Sequence, residues 1–337
     1  MGKYRVLTMV PYFDKVVKVF NEVAQVDSIW GKKLRLYTED ELAELLPNYD
    51  ACVVWIDPLK GRAMEAGKHL KAIGVPRAGY DNVDVKKATE YGIPVVFSPG
   101  ANSSAVADFT MGLILSLVRS IAQKNHEIKE GNLKGRWALV DDVGFGLEGK
   151  VLGILGLGNI GCRVALRAKA FGMHIIGYDP FVDENTQTGL GVYPTELGIE
   201  LSSFEDLLKR ADIITLHLPI TPETKGLIGE RELSLMKPNS YIINTSRGKI
   251  IDEGALYKAL KERRIRGAAL DVFVKEPLDY DNPLLKLDNV ILTPHIAWCT
   301  EEAIYRSNYI VAKEITRILK GERPNLRNVA NPIVIKL

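Results

Sequence analysis

The chain has 337 residues, of which 46% are hydrophobic and 26% charged, and its formal net charge is +2 at pH 7. This length exceeds what one hydrophobic core usually supports, so two domains are expected. No basic run stands out, which argues against a nucleic-acid partner, and the longest apolar stretch, near residues 111–118, is too short to span a membrane.

Short apolar runs alternate with helical patterns through the first hundred residues. Helices are predicted near residues 39–46 and 85–91. Alternation of this kind predicts a parallel sheet covered by helices. The predicted strands of this part are 5–10, 51–57, 72–75 and 94–99.

A long helix is predicted next. Residues 102–104 are good N-terminal capping residues, and apolar side chains recur on one helical face between Val106 and Leu117. We expect a single helix that runs to about Glu130, just before Gly131.

Residues 149–179 read as a strand, a glycine-rich turn, a helix and a second strand. The turn has the pattern G-x-G-x-x-G, formed by Gly156, Gly158 and Gly161. A dinucleotide pyrophosphate needs a backbone without Cβ atoms in its way and a helix N-terminus with free N–H groups. In this strand–turn–helix context the motif predicts a dinucleotide-binding domain; a glycine turn in another kind of βαβ unit is the alternative.

Asp179 ends the second strand of this unit. Its carboxylate can accept hydrogen bonds from the adenosine ribose hydroxyls, and its charge would repel a 2′-phosphate. No Arg or Lys follows in residues 180–183 to bind such a phosphate. The sequence therefore predicts NAD rather than NADP as the cofactor.

The middle of the chain repeats the alternation of strand and helix. Strands that begin at a dinucleotide turn suit a doubly wound sheet with the order 3-2-1-4-5-6. The predicted strands are 151–155, 174–179, 213–218, 241–245, 268–272 and 290–293.

A second long helix begins at Thr300 and ends near Lys320. After it, the stretch 325–337 is expected to return to the first domain. The predicted organisation is therefore an outer domain of residues 1–103 and 299–337, with a dinucleotide-binding domain of residues 104–298 inserted into it.

Three polar residues follow successive predicted strands: Arg247, Glu276 and His295. An imidazole can donate or accept a proton near neutral pH, and a carboxylate on its other nitrogen would fix its tautomer. A guanidinium can bind a carboxylate in bidentate fashion. The alternatives are a structural histidine at a strand end, an arginine that binds cofactor phosphate or lies on the surface, and a solvated glutamate. His217, also at a strand end, is expected to line the cofactor rather than to react.

Cys52, Cys162 and Cys299 are far apart in the sequence, and the chain has no C-x-x-C motif. We therefore expect reduced thiols in a cytoplasmic protein and no bound metal.

Several motifs, spread over essentially the whole chain, resemble those of the D-isomer-specific 2-hydroxyacid dehydrogenases. The resemblance implies a Rossmann NAD-binding domain inserted into a flavodoxin-like substrate domain. The matching segments are AGYDNVD (78–84), GLGNIG (156–161), LHLPITPETKGLIG (216–229), INTSRGKIIDEGAL (243–256), RGAALDVFVKEPL (266–278) and TPHIAW (293–298).

The resemblance implies an NAD-dependent enzyme that transfers hydride between nicotinamide and C2 of a small 2-hydroxy or 2-oxo acid, such as glyoxylate, hydroxypyruvate, lactate or a bulkier acid. Arg247, Glu276 and His295 match the family's catalytic set, and a homodimer built around the helix from Ser104 is expected by analogy. The predicted substrate-binding residues are Arg77, Ala78, Gly79 and Trp298. The predicted cofactor-binding residues are Val106, Gly156, Gly158, Asn159, Ile160, Gly161, Asp179, Pro219, Thr224, Thr245, Asp271 and Ala297. Within these sets, the resemblance places Asp271 against the nicotinamide amide and the Gly79 loop against the substrate carboxylate.

One position resembles a particular branch of the family, and two others, Arg77 and Asp108, depart from the common pattern. Trp298, three residues after His295, is similar to the branch that includes the C-terminal-binding-protein corepressors. It would form an apolar wall for a substrate side chain or pack at the domain hinge. Arg77 replaces a small residue and would bind a second anionic group of the substrate or point to solvent. Asp108 stands where many members have Glu.

Two other functions stay open at this point. The Trp298 resemblance would also suit an NADH-sensing scaffold that recruits peptides, although the intact set of Arg247, Glu276 and His295 favours an enzyme. The extra cation Arg77 would suit oxidation of an inorganic anion such as phosphite at the same site.

Overall fold

The structure, a computed structural model, describes residues 4–11, 13–32, 35–131 and 144–335. The chain divides into two compact units. Unit 1 consists of Met1–Asn102 and Cys299–Leu337, and unit 2 of Ser103–Trp298. The second unit thus begins one residue before the predicted position 104 and ends at the predicted residue.

Unit 1 contains a five-stranded parallel sheet with the order β2-β1-β3-β4-β5. This is the flavodoxin-like order. β2 is absent from the predicted strands, because it is an edge strand in which only Ala24 is buried and which lacks a pattern of apolar residues. The strands are β1 Tyr4–Thr8, β2 Ala24–Ser28, β3 Ala51–Val53, β4 Ala72–Val75 and β5 Val95–Phe97.

Four short helices connect these strands. The helix that follows Thr38 has a capping box: the Thr38 side chain accepts from the Glu41 amide, and Glu41 accepts from the Thr38 amide. The helices are α1 Asp14–Phe20, α2 Glu39–Leu45, α3 Gly61–Ala66 and α4 Val85–Glu90.

Unit 2 begins with two helices, α5 (Ser103–Val118) and α6 (Ile121–Lys129), which meet at an angle of 64°. The prediction of one helix to Glu130 is therefore wrong. Ser120 has a φ of 52°, and the Val118 carbonyl accepts the Phe145 amide at 3.3 Å instead of continuing the helical pattern. A contact with a residue distant in the sequence thus ends the helix where the local pattern would extend it.

Unit 2 contains a seven-stranded parallel sheet with the order β12-β11-β10-β9-β6-β7-β8. The doubly wound fold class is confirmed. However, the six predicted strands omit β8, a strand of only three residues that pairs with β7. The predicted order would therefore have placed the strand at 213–218 beside the strand at 174–179. In the structure the strand at 213–216, β9, pairs with β6 instead. The strands are β6 Val151–Leu155, β7 His174–Tyr178, β8 Ile199–Leu201, β9 Ile213–Leu216, β10 Tyr241–Asn244, β11 Gly267–Leu270 and β12 Val290–Leu292.

Helices cover both faces of this sheet. One core cluster contains side chains of α5 and of the helix after the glycine turn, and a second contains side chains of the helices at 204–210, 230–235 and 253–261. The strand order reverses between β6 and β9, and such a switch point opens a crevice at the carboxyl ends of the strands. The remaining helices of the unit are α7 Asn159–Ala170, α8 Phe204–Arg210, α9 Glu230–Leu235 and α10 Glu253–Lys261.

The last helix, α11 (Glu301–Leu319), belongs to unit 1. The Thr300 side chain caps it by accepting the Ala303 amide at 3.2 Å, as the sequence predicted. A Cβ atom on Gly74 would lie 2.5 Å from Val311, so this glycine of β4 permits the helix to pack directly on the sheet. The following stretch returns to unit 1, where the Ala330 amide donates to the Val95 carbonyl; residues 336–337 lie outside the described part.

Within the described ranges, no single helix is long and apolar enough to cross a membrane; α5 and α6 would be so only as a bent pair.

Candidate active site

The glycine-rich turn joins β6 to α7, and its three glycines have two different steric roles. A Cβ on Gly156 would lie 2.5 Å from the His217 carbonyl oxygen, and one on Gly161 would collide with the Gly156 carbonyl oxygen. A Cβ on Gly158 would meet no atom within 4 Å. Gly156 and Gly161 therefore allow close packing of the chain, whereas Gly158 leaves open space in front of the helix.

That open space suits an anion. Gly158 is the N-cap of α7, and no side chain caps the helix there. The first N–H groups of a helix lack intrahelical partners and carry the positive end of its dipole. The turn thus fits the pyrophosphate of a dinucleotide.

Asp179 stands at the carboxyl end of β7. One carboxylate oxygen accepts the Leu157 amide at 2.9 Å and the other accepts the Phe181 amide at 3.0 Å. These bonds hold the carboxylate beside the glycine turn, where the predicted contact with a ribose would be made.

Arg247, Glu276 and His295 follow β10, β11 and β12, which are neighbours in the sheet. A Cβ on Gly248 would collide with the Phe273 backbone, so this glycine lets the loop after β10 press against the loop after β11. The Phe273 amide in turn donates to Glu276 at 3.0 Å. Gly248, which the sequence analysis did not select as a site residue, therefore brings the arginine loop and the glutamate together.

The side chains of His295 and Glu276 form a direct pair, with Nδ1 and Oε2 2.8 Å apart. Both are about one-third exposed, at 32% and 37%. Burial by itself would raise the pKa of Glu276, but the hydrogen bonds from His295 and the Phe273 amide and the charge of Arg247 outweigh it and lower the pKa. Glu276 is therefore ionised at neutral pH. The other ring nitrogen of His295, Nε2, has no hydrogen bond to any described residue.

Asp271 shapes the loop that carries His295. Its side chain is fully buried (0% exposed) and accepts the Thr293 hydroxyl at 2.6 Å. It also accepts the amides of Ile296 at 3.0 Å and Ala297 at 2.9 Å. Asp271 and Ala297 are both predicted to contact the cofactor, but the hydrogen bond between them has no signal in the sequence.

Other predicted cofactor residues lie around the crevice of unit 2. Thr245 follows β10, and its hydroxyl lies 3.0 Å from that of Thr110 on α5; Val106, one helical turn earlier, is buried. In the loop after β9, the Thr224 hydroxyl donates to the Pro219 carbonyl at 2.7 Å. Asn159 and Ile160 begin α7.

His217 also lies at this crevice, after β9. Burial lowers its pKa to about 3, so the ring is neutral, and its Nε2 lies 3.0 Å from the Thr215 hydroxyl. A neutral ring held in this way is consistent with a lining role.

The predicted substrate residues fall in different units. Arg77, Ala78 and Gly79 follow β4 in unit 1, and the half-buried Arg77 donates to the Trp55 carbonyl at 3.4 Å. Trp298 is the last residue of unit 2, and its indole nitrogen donates to the His295 carbonyl at 2.8 Å.

Asp108, the departure noted at the start of the long helix, forms an ion pair with Arg167 of α7 at 2.6 Å. The shorter acid is thus accommodated inside unit 2. The described residues contain no group of three or more His, Cys, Asp or Glu side chains that could hold a metal ion.

Residues 111–297 match the family model described as "D-isomer specific 2-hydroxyacid dehydrogenase, NAD binding domain". The chain belongs to the D-isomer-specific 2-hydroxyacid dehydrogenase family. Its unit 2 is the NAD-binding domain of that family, which confirms the predicted cofactor.

Two relatives and one solved structure illustrate the likeness to this family. A D-3-phosphoglycerate dehydrogenase of Methanocaldococcus jannaschii is 45% identical over 97% of this chain and 60% of its own length. A glyoxylate reductase of Thermococcus litoralis is 41% identical over 93% of this chain and 92% of its own length. The structure of D-lactate dehydrogenase from Aquifex aeolicus, complexed with NAD and lactic acid, has a TM-score of 0.80 and 29% identity, and the match covers 97% of this chain and 99% of that one.

The lengths of the two relatives differ in relation to this chain. The chain spans 60% of the M. jannaschii dehydrogenase but nearly all of the T. litoralis reductase. Both relatives support family membership. Neither of them fixes the substrate of this chain, which depends on the residues of its site.

The glycine turn allows a matched test of cofactor binding. Gly158→Ala should weaken NADH binding by at least tenfold, because its Cβ enters the space for the pyrophosphate, while the free energy of unfolding changes by no more than about 1 kcal/mol. Gly161→Ala should instead lower the free energy of unfolding by about 1–3 kcal/mol through overpacking. Calorimetric titration with NADH and thermal unfolding measure the two effects, and unchanged NADH affinity in Gly158→Ala would contradict this assignment.

Proposed function

We propose that the protein is an NAD-dependent 2-hydroxyacid dehydrogenase specific for the D isomer, acting mainly as a 2-oxo acid reductase. The observation that carries the proposal is the pair of His295 and Glu276, 2.8 Å apart at the carboxyl end of the NAD-binding sheet. An imidazole anchored through Nδ1 by an ionised carboxylate keeps Nε2 available for a substrate oxygen.

The chemistry divides between the cofactor and the side chains. Bound NADH supplies a hydride to C2 of a 2-oxo acid. His295 supplies the proton that the carbonyl oxygen needs to become a hydroxyl. Glu276 stabilises the charged imidazole before the transfer, and a positioned acid–base of this kind typically contributes ~10²–10⁴ in rate.

Arg247 is the proposed binding group for the substrate carboxylate. Its guanidinium is close enough to Glu276 for its charge to lower the pKa of that side chain. A planar, permanently charged group can bind a carboxylate and a 2-oxo oxygen through parallel hydrogen bonds. In this role Arg247 would place C2 of the substrate near Nε2 of His295.

The predicted preference for NAD over NADP rests on Asp179. Its carboxylate is held by two backbone amides at the end of β7, so it cannot turn away easily from the ribose of the cofactor. A 2′-phosphate at that place would meet a fixed negative charge without a compensating cation in residues 180–183.

The proposed substrates are small 2-oxo acids. The names of the relatives include glyoxylate reductase and hydroxypyruvate reductase, which supports this class. Phosphite oxidation and an NADH-sensing scaffold are the other candidates; the intact His295–Glu276 pair favours a dehydrogenase over a scaffold.

A substrate panel tests the proposed activity. We expect NADH oxidation with glyoxylate, hydroxypyruvate, pyruvate or a bulkier 2-oxo acid, and slower turnover with NADPH. His295→Asn should lower kcat by ~10²–10⁴ while NADH still binds, because the variant lacks the proton donor but keeps the cofactor site. No turnover of any 2-oxo acid by the wild type would contradict the proposal, and NAD reduction by phosphite alone would favour the inorganic substrate.

Glu276→Gln tests the role of the carboxylate through the pH profile. Reduction needs the charged imidazole, which the ionised Glu276 stabilises and a neutral amide does not. The pH at which the reductive rate falls to half its maximum should therefore move lower. Steady-state rates between pH 5 and 10 measure the shift, with the exposed Glu184→Gln as control; equal midpoints in both variants would argue against the pairing.

A homodimer is the proposed assembly, and a reducing, cytoplasmic location is proposed from the three free cysteines. Ile121 and Ile128 lie seven residues apart on one face of α6 and are 54% and 56% exposed. No residue of α6 is buried, so these two exposed apolar side chains are available for contact with a second copy.

Sedimentation velocity tests the assembly. Wild type should sediment as a dimer, and the double change Ile121→Asp with Ile128→Asp should shift it toward monomer, since two charges would enter an apolar contact. Gln123→Asp, on the opposite face of α6, is the control. A monomeric wild type would exclude the dimer.

A further inference from the structure

We propose that Trp298 is a positioning residue for the acid–base histidine, acting through its indole N–H on the backbone of His295. The inference rests on the proposed function and adds to it a residue that controls the rate. It assigns to Trp298 a role different from a substrate wall or a hinge packing residue.

The backbone of His295 adopts an unusual conformation. Its φ is 53°, which lies in the left-handed region. Residues with a Cβ are disfavoured there, and few of them adopt this conformation without local support. Non-glycine residues in this region tend to occur at functional sites, where surrounding contacts hold them.

Each polar group of His295 that faces the protein has a partner. The amide donates to the Asp271 carbonyl at 2.8 Å, and Nδ1 is paired with Glu276. The carbonyl accepts the Trp298 indole at 2.8 Å, and this is the one hydrogen bond to that carbonyl among the residues that the structure describes.

Asp271 and Trp298 hold different parts of the same loop. The Asp271 carboxylate binds the Thr293 hydroxyl and the amides of Ile296 and Ala297, and so fixes the loop from inside the sheet. The Ile296 amide belongs to the peptide between His295 and Ile296, so Asp271 holds that peptide through its N–H. The indole N–H binds the carbonyl of the same peptide, so Trp298 restrains the end of the peptide that Asp271 does not hold.

Without the bond to its carbonyl the backbone of His295 would be less restrained, and the imidazole shifts with that backbone. Catalytic groups need positions correct to about 0.5 Å and 10–20°. A turn of the His295 backbone would lengthen the 2.8 Å contact with Glu276 and redirect Nε2. The indole hydrogen bond should therefore affect the chemical step more than the binding of substrate.

The nitrogen of the indole separates this role from the two other interpretations. A substrate wall or a packing role uses the shape of the ring and does not need its N–H. The decisive change is therefore the removal of the N–H with the ring shape kept, by replacing Trp298 with 3-benzothienylalanine, in which sulfur takes the place of the nitrogen. Trp298→Phe is a second variant that can be made with ordinary amino acids.

We expect the benzothienyl variant to lose about 3- to 10-fold in kcat with every 2-oxo acid that the wild type reduces. The KM of the 2-oxo acid and the affinity for NADH should stay within about twofold. The pH at which reductive kcat falls to half its maximum should also move lower, because a displaced imidazole is less well stabilised by Glu276. The same replacement at Trp30, a half-exposed tryptophan of unit 1, is the control and should change none of these quantities.

The outcomes separate this inference from the proposed function. A wild type without 2-oxo acid reductase activity would overturn the function and the inference together. An active wild type with an unchanged kcat in the benzothienyl variant would overturn the positioning role alone. A loss confined to bulky substrates would also overturn it, in favour of the wall, and a lowered melting temperature with unchanged kcat would reduce Trp298 to packing.

Discussion

The buried carboxylate of Asp271 is the interaction on which the arrangement of the site depends. A charge with no solvent contact is costly unless hydrogen bonds satisfy it, and an unsatisfied one is strongly destabilising. The donors that satisfy Asp271 are the Thr293 hydroxyl and the amides of Ile296 and Ala297. All three belong to the loop after the neighbouring strand, so folding that loop around the carboxylate brings His295 to the edge of the sheet.

Close contacts of the backbone set the rest of the geometry. Gly248 lets the arginine loop lie against Phe273, and the Phe273 amide holds Glu276. On the other side of the crevice, Gly156 and Gly161 allow β6, α7 and the loop after β9 to meet without side chains between them. The parallel sheet supplies the common edge, because all its strands end there.

The electrostatics follow from this packing. Glu276 is only partly buried, and one cation and two hydrogen-bond donors near it favour its ionised form. An ionised Glu276 beside a titratable imidazole is what links the proposed proton transfer to pH. Asp179, which two backbone amides hold at the end of β7, is the proposed contact for the cofactor ribose at the same sheet edge.

The amino-acid sequence by itself determined the features that depend on neighbours in the chain. The glycine turn, the acid after β7, the capped start of α11 and the residues after β10, β11 and β12 are each readable from local pattern, because backbone freedom, capping and strand ends are local properties. Motif resemblance extended this to the family and to Arg247, Glu276 and His295 as a set.

Only the tertiary structure decided the features that depend on residues far apart. β2 and β8 are strands because an adjacent strand offers hydrogen bonds, not because of their own composition. The helix after Ser103 breaks where Phe145 takes the Val118 carbonyl. The partners of Asp271 likewise follow from the meeting of loops whose contacts no local pattern encodes.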